Sequence, residues 1–267
     1  MNYDLVLCGV GGQGVLTIAW VIDHAVHEAG LYLKQSEVHG MSQRGGAVSA
    51  FVRISDRPVA SDLIANGTAS MVLSVEPLEA LRYTPLLRPH GWIITDITPL
   101  INIEAYPQSE ALYQVLFSAP HLVALDATRM AQNAGSIKAQ NMVVLGAAAS
   151  QLPLPLELLE KQLHALFGGK GRRIVEANIN AFRSGAAASQ FAARLIAAGV
   201  PTALLARVLP RLAFEPQPVS QAIVDAWCQR LLSSAAAPFA QQLFEGDVAV
   251  PAEQVPGLAA QQPFELT

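Results

Sequence analysis

Apolar runs and glycine-rich interruptions alternate along the first forty residues. Residues 5–8 form an apolar run of strand length, residues 9–14 follow with four glycines, and apolar positions then recur at helical intervals through residues 15–29. A strand, a turn with few side chains and a helix are how a parallel α/β sheet begins. Residues 31–37 predict a second strand directly after this helix.

A second interruption lies where a crossover helix would be expected. Residues 36–46 are polar and contain glycine, and residues 47–54 alternate between apolar and polar positions as a strand does. A doubly wound dinucleotide-binding half places a helix after its second strand. The loop therefore predicts a non-standard second crossover, with a third strand that is free to run antiparallel.

The middle of the chain extends this α/β pattern. Pro77 suits the first turn of a helix, Asp126 suits a helix N-cap, and residues 101–119 have no clear period. We predict a Rossmann-like, open and mostly parallel sheet. Strands are predicted at 69–74, 91–96 and 122–125, and helices at 77–87, 127–132, 141–149 and 156–167, with a long helix from about residue 172.

The composition changes after residue 185. Alanine and leucine become frequent from residue 186 onward, and prolines interrupt them. We therefore expect an α/β domain at 1–185, a helical C-terminal extension at 186–237 and an extended or partly disordered tail at 238–267. Within the extension, helices are predicted at 188–198, 202–209 and 220–233.

Charge and hydropathy exclude several classes of protein. The chain has 52% hydrophobic and 14% charged residues and a net charge of −4, which gives no broad basic surface for nucleic acid or an anionic membrane. No apolar run reaches the length of a membrane span, and residues 1–4 do not resemble a signal peptide. We expect a cytoplasmic protein whose apolar, alanine-rich surface meets partners.

The cysteine content limits the redox chemistry of this chain. Cys8 and Cys228 are the only cysteines, so a four-thiolate iron–sulfur cluster or a cysteine-rich zinc site cannot be built. Any redox cluster must belong to another subunit. No metal site is expected at His39 either, because no second ligand stands at a useful helical spacing.

The glycines at 9, 11 and 14 satisfy the pattern G-x-G-x-x-G. Backbone N–H groups from Gly11 to Gly14, at the start of a helix, can receive a pyrophosphate or carboxylate. The alternative is that the glycines only allow a tight turn and close helix–sheet packing. Glu37 lies roughly where a dinucleotide-binding fold holds its ribose, so a stand-alone NAD(P)- or nucleotide-binding protein also remains open.

Two stretches together resemble one family. GVGGQG at 9–14 and SEVHGMSQRGG at 36–46 resemble the gamma-type subunit or domain of 2-oxoacid:ferredoxin oxidoreductases. The second stretch most resembles the beta subunit of the indolepyruvate-specific members. The resemblance extends to about residue 185, because residues 171–185 are similar to a late helix of the family.

This resemblance implies a subunit of a hetero-oligomeric enzyme that is inactive alone. Such enzymes are oxidoreductases that act on the oxo group of a 2-oxoacid with an iron–sulfur protein as acceptor. They decarboxylate the acid on thiamine diphosphate, pass electrons through iron–sulfur clusters to ferredoxin and release an acyl-coenzyme A. The larger catalytic subunit would carry the diphosphate and the clusters, and this chain would help to form the thiamine and coenzyme A site.

The candidate site residues lie on the two loops. Glu37 and His39 can orient a substrate group or exchange a proton, and the guanidinium of Arg44 can contact an anion or a partner. Structural hydrogen bonds, or for all the loops a purely structural role, remain alternatives. The catalytic candidates are Glu37, His39 and Arg44, and the cofactor-binding candidates are Gly9, Gly11, Gly12, Gln13, Gly14, Met41, Gln43 and Gly45.

Overall fold

The computed structural model describes residues 1–39, with His39 as backbone only, and residues 45–233. Within these residues, six strands form one sheet, and helices pack on both of its faces. The strands are β1 (Asn2–Val10), β2 (Tyr32–His39), β3 (Ala47–Ser55), β4 (Ala69–Ser74), β5 (Leu87–Asp96) and β6 (Leu122–Leu125). The helices are α1 (Val15–Glu28), α2 (Pro77–Arg82), α3 (Ser109–Leu116), α4 (Ala127–Asn133), α5 (Gln140–Ala148), α6 (Leu156–Phe167), α7 (Arg172–Ala197), α8 (Thr202–Val208) and α9 (Gln221–Leu231).

The strand order is β2-β3-β1-β4-β5-β6. The pairs β1–β4, β4–β5 and β5–β6 are parallel, whereas β3 runs antiparallel to both β1 and β2. Parallel strands covered by helices on both faces read as continuous apolar runs, and β1 is buried from Leu5 to Val10. The predicted mostly parallel sheet is confirmed, and so is the non-standard second crossover.

Most predicted elements are present, and three differ: the strand predicted at 91–96 begins four residues earlier, at Leu87, and two helices also have other bounds. The helix predicted at 77–87 ends at Arg82, because Pro85 lies in a 3-10 turn and Leu87 already begins β5. The helix predicted at 188–198 is the second half of α7, since the small residues around Ser184 do not interrupt the 26-residue helix. The segment without a clear period contains α3.

One hydrophobic core joins the sheet to the C-terminal helices. Phe182 and Phe191 on α7 and Trp227 on α9 are buried in the same cluster as Leu5 and Leu7 of β1. The helical extension therefore packs on the α/β part, and the division at residue 185 stays a prediction. The predicted tail at 238–267 lies outside the described residues.

Of the helices in the described part of the chain, none is long and apolar enough to cross a bilayer. The cytoplasmic location stays a prediction.

Candidate functional site

The two loops singled out from the sequence meet at one edge of the sheet. His39 pairs with Val48, and Val48 pairs with Gly9 on β1, so the ends of β1 and β2 and the start of β3 are level. The carboxyl ends of β4, β5 and β6 lie along the same edge, where open α/β sheets bind their ligands.

The glycine loop, residues 11–14, needs glycine for two separate reasons. Gly12 and Gly14 have φ angles of 104° and 83°, in the left-handed region that side chains disfavour. A Cβ on Gly14 would also lie 2.4 Å from Nδ2 of Asn141, and one on Gly9 would lie 2.3 Å from Cγ2 of Val75. The tight turn and the close helix–sheet packing, which the sequence offered as the alternative to anion binding, are therefore both present.

Two of the four loop amides expected to receive an anion are already engaged. The N–H of Gly11 donates to the carbonyl of Gly46 at 2.8 Å, and that of Gln13 donates to the carbonyl of Val10 at 3.1 Å. The N–H groups of Gly12, Gly14, Val15 and Leu16 lie at the start of α1 and have no acceptor among residues 1–39 and 45–233. We call these four N–H groups the amide cradle.

The side chain of Gln13 has a structural part in the loop. Its Oε1 accepts from the N–H of Val10 at 2.8 Å, and its Nε2 donates to the carbonyl of Val75 at 3.0 Å. The side chain is buried and turned toward the end of β4. The side chain of Gln13 thus stabilises the glycine loop through two hydrogen bonds, and its predicted cofactor contact stays a prediction.

An open pocket of about 380 Å³ lies against the amide cradle. Its walls are mainly apolar, so it combines backbone donors with a surface that uncharged groups can contact. The described residues that line it are Val10, Gly11, Gly12, Gly14, Val15, Leu16, Thr17 and Val48.

Glu37 lies on the edge strand β2 and is exposed. Its Oε1 accepts from Nε2 of Gln35 at 2.8 Å. Burial raises the pKa of Asp23 on α1 to about 6. The charge of His24 lowers this pKa, and the charge of Glu37 raises it further. Glu37 is therefore close to a second carboxyl group, a feature that the sequence pattern did not reveal.

The strand order counts against a dinucleotide site. In a doubly wound half, the acid on the second strand reaches the ribose because that strand is next to the glycine loop. Here β3 separates β2 from β1, which places Glu37 about two strand spacings, roughly 10 Å, from the first strand.

Several site candidates lie beyond what the structure describes. The side chain of His39 and the whole of Met41, Gln43 and Arg44 are outside the described residues. Gly45 is described: its N–H donates to the carbonyl of Gly11 at 3.3 Å. The end of the connection that leads into β3 is thus hydrogen-bonded to the glycine loop.

The buried carboxyl group of Asp96 lies at this edge, close to the half-buried carboxyl group of Asp126. Asp96, the last residue of β5, is 1% exposed and accepts from the N–H groups of Thr98 and Ala127 at 3.0 and 3.1 Å. Burial, together with the charge of Asp126, raises the pKa of Asp96 to about 7. Asp126 caps α4 as predicted, accepting from the N–H of Arg129 at 2.9 Å.

Glu76 was not singled out, because its partners come from a segment without a pattern. It is 1% exposed, caps α2 through the N–H of Glu79 at 2.7 Å and accepts a hydrogen bond from the hydroxyl of Tyr106.

Metal and thiol chemistry receive little support from the described part of the chain. In residues 1–39 and 45–233, no three His, Cys, Asp or Glu side chains are grouped so as to hold a metal ion. Burial raises the pKa of the Cys8 thiol, which keeps it protonated and unreactive.

Comparison with known proteins gives the family. A sequence model described as pyruvate ferredoxin/flavodoxin oxidoreductase matches residues 4–188. The chain is 36% identical over 192 residues to the indolepyruvate oxidoreductase subunit IorB of Methanothermobacter thermautotrophicus, covering 69% of this chain and 96% of that protein. The IorB subunit of Archaeoglobus fulgidus is 34% identical over 194 residues, covering 69% and 94%.

A solved structure has the same fold. The 2-oxoglutarate:ferredoxin oxidoreductase of Magnetococcus marinus, with 2-oxoglutarate, coenzyme A and succinyl-CoA bound, superposes with a TM-score of 0.56 at 19% identity. The match covers 71% of this chain and 31% of that one. The family match and the identity to the IorB subunits bear out the resemblance of the two loops: the chain belongs to the pyruvate ferredoxin/flavodoxin oxidoreductase family, a family of oxidoreductases.

Proposed function

We propose that this chain is the small, gamma-type subunit of a 2-oxoacid:ferredoxin oxidoreductase that acts on indolepyruvate or a similar aryl pyruvate. The family match over residues 4–188 and the identity to IorB subunits support this proposal. The complex would oxidatively decarboxylate the acid in the cytoplasm, form the acyl-coenzyme A and pass the electrons to ferredoxin.

The division of labour follows from what this chain can hold. Its two cysteines are both free thiols, which supports placing the iron–sulfur clusters and the thiamine diphosphate on a larger catalytic subunit. When bound, thiamine diphosphate supplies the decarboxylation chemistry and coenzyme A supplies the thiol that takes up the acyl group.

The amide cradle is the observation that carries this chain's own part. Four N–H groups at the start of a 14-residue helix have no acceptor within the described residues, and such donors, with the helix dipole, favour an anion. The pyrophosphate of coenzyme A fits these donors, and the apolar walls of the pocket fit its uncharged parts. Glu37, His39, Met41, Gln43 and Arg44 are proposed to complete the shared site.

A single substitution can remove one donor of the amide cradle. Leu16 is 39% exposed and is the second residue of α1, where the N–H has no partner within the helix, so proline there removes a donor without breaking a helical hydrogen bond. In the assembled enzyme, Leu16→Pro should raise the KM for coenzyme A about tenfold or more, the cost of losing a hydrogen bond to a charged group. The assay is ferredoxin reduction with indolepyruvate at varied coenzyme A.

The matched control is Leu16→Ala, which removes the same side chain but keeps the N–H group. Its KM for coenzyme A should stay within about threefold of the wild-type value. Equal effects of the two variants would refute the amide cradle as the coenzyme A contact. A complex that reduces ferredoxin with no 2-oxoacid at all would refute the proposed reaction.

A further inference from the structure

A strap formed by residues 98–106 leaves the end of β5 and passes over the site edge. The N–H of Leu100 donates to Oε1 of Glu76 at 3.4 Å, and the hydroxyl of Tyr106 donates to the same oxygen. Between these two anchors, Nδ2 of Asn102 donates to the carbonyl of Gly45 at 2.9 Å. The strap therefore reaches from β4 to the start of β3, across the end of β1 that lies between them.

The anchor of the strap is a buried carboxyl group. Glu76 is 1% exposed, and its Oε2 is occupied by the N–H of Glu79 at 2.7 Å. The donors described for Oε1 both come from the strap. Lifting the strap would leave a buried carboxylate oxygen without these partners, which is costly. The strap is accordingly held in one place on the body of the sheet.

The tip of the strap acts on the glycine loop. Gly45, which accepts from Asn102, donates its N–H to the carbonyl of Gly11 at 3.3 Å, and Gly11 donates back to Gly46 at 2.8 Å. Gly45 has a φ of 78° and is exposed. Because glycine has no side chain to restrict its backbone, contacts with other residues must hold it in this conformation. Two hydrogen bonds therefore hold Gly45 between Asn102 and Gly11.

We propose that Asn102 is a positioning residue for the amide cradle: by fixing Gly45 it fixes Gly11, and so aims the N–H groups of Gly12, Gly14, Val15 and Leu16. This inference rests on the proposed function, because it assigns Asn102 to the coenzyme A step. A cradle that is already aimed loses less freedom when it binds an anion, so the strap contributes affinity without touching the ligand.

The test compares Asn102→Ala with Asn66→Ala in the assembled enzyme. Asn66 is an exposed loop asparagine remote from these contacts. Asn102→Ala should raise the KM for coenzyme A about threefold to tenfold, the worth of one hydrogen bond. The kcat and the KM for the 2-oxoacid should stay within about twofold, and Asn66→Ala should change none of them. Asn102→Gln, which keeps the amide donor, should recover part of the loss.

A double substitution separates positioning from a remote effect. If Asn102 acts through the cradle, Asn102→Ala should have a smaller effect in the Leu16→Pro background than alone. Additive effects, or an unchanged KM for coenzyme A in a folded Asn102→Ala enzyme, overturn the positioning role and leave the proposed function standing. An unchanged KM in Leu16→Pro itself overturns both the positioning role and the amide cradle as the coenzyme A contact, whereas ferredoxin reduction without any 2-oxoacid is the result that refutes the proposed reaction.

Discussion

Gly14 and Asn141 depend on each other at the centre of the site edge. Gly14 adopts the left-handed conformation, and its carbonyl accepts from Nδ2 of Asn141 at 3.2 Å. Asn141 is 6% exposed, so it has little room to move away from any added atom. A residue more than a hundred positions later in the chain therefore leaves no room for a side chain at Gly14.

Gly14→Ala should lower the free energy of unfolding by about 2–3 kcal/mol, since left-handed strain and a displaced Asn141 act together. Urea unfolding at neutral pH measures this loss. Gly30→Ala is the control: its φ is 70°, and an added Cβ would meet nothing within 4 Å. It should lose only the strain, about 1 kcal/mol. Equal losses would show that Asn141 yields freely.

Asp96 links the ends of β5 and β6. Its carboxyl group accepts from Ala127 at the start of α4 and from the hydroxyl of Thr128 at 3.3 Å. Because its pKa is raised to about 7 in the folded protein and is about 3.9 when unfolded, the folded state binds the proton more tightly. The resulting stabilisation is complete below about pH 4 and is lost as the pH rises through 7.

Asp96→Asn should therefore flatten the pH dependence of stability. Between about pH 4 and pH 7 the wild type should lose up to about 1.4 kcal/mol per pH unit from this group, and the variant should not. Urea midpoints at pH 5, 6, 7 and 8 measure the difference. Asp225→Asn, at an exposed position on α9, is the control for charge alone. Parallel curves for Asp96→Asn and the wild type would contradict the raised pKa.

At the scale of elements, α5 and α7 pack so closely that their backbones lie within contact distance of each other. A Cβ on Gly146 would lie 1.8 Å from the carbonyl oxygen of Phe182, and one on Gly185 would lie 2.0 Å from that of Val143. Backbone atoms of two packed helices cannot move aside as the end of a side chain can. This contact fixes α7 against the helix that also supplies Asn141.

Gly146→Ala should cost about 3 kcal/mol or more, the upper range for an overpacked core, and reduce the yield of folded protein. Thermal unfolding monitored by circular dichroism measures the loss. Gly169→Ala, where an added Cβ meets nothing within 4 Å, should be neutral. A stable Gly146→Ala variant would mean that the two helices separate easily.

At the scale of the whole molecule, the C-terminal helices complete the core. Trp227 is 2% exposed and meets the ring of Phe191 edge-on, with 6.4 Å between ring centres. Both lie in the cluster that contains the first strand. The helices beyond the family match at 4–188 therefore share the core of the α/β part.

Trp227→Ala should lower the free energy of unfolding of the whole chain by about 3–5 kcal/mol, since it leaves a large cavity in a shared core. A single cooperative transition in urea, shifted to lower concentration, is expected. Leu232→Ala, at a position 56% exposed, should stay within about 0.5 kcal/mol of wild type. A separate early transition confined to the C-terminal helices would contradict a shared core.

Local periodicity in the sequence was sufficient for most elements. The strand at 69–74 and the helix at 156–167 have the predicted bounds, because their apolar spacing and flanking prolines are local signals. The non-standard second crossover was also readable, since residues 36–46 are polar and contain glycine, which does not favour a helix. The two loops likewise gave the family, because their glycines and polar residues stand in a fixed order.

Only the tertiary structure decided how those elements meet. The place of β3 between β1 and β2, the use of the Gly11 amide by Gly46 and the capture of Tyr106 by Glu76 all join residues far apart in sequence. The raised pKa of Asp96 likewise comes from burial, which depends on every neighbour. The sequence by itself determined the glycine turn and the helix that follows it. The fold decided that Gly46 takes up the amide of Gly11, whereas the four N–H groups of the amide cradle have no acceptor among the described residues, because that hydrogen bond joins segments far apart in sequence.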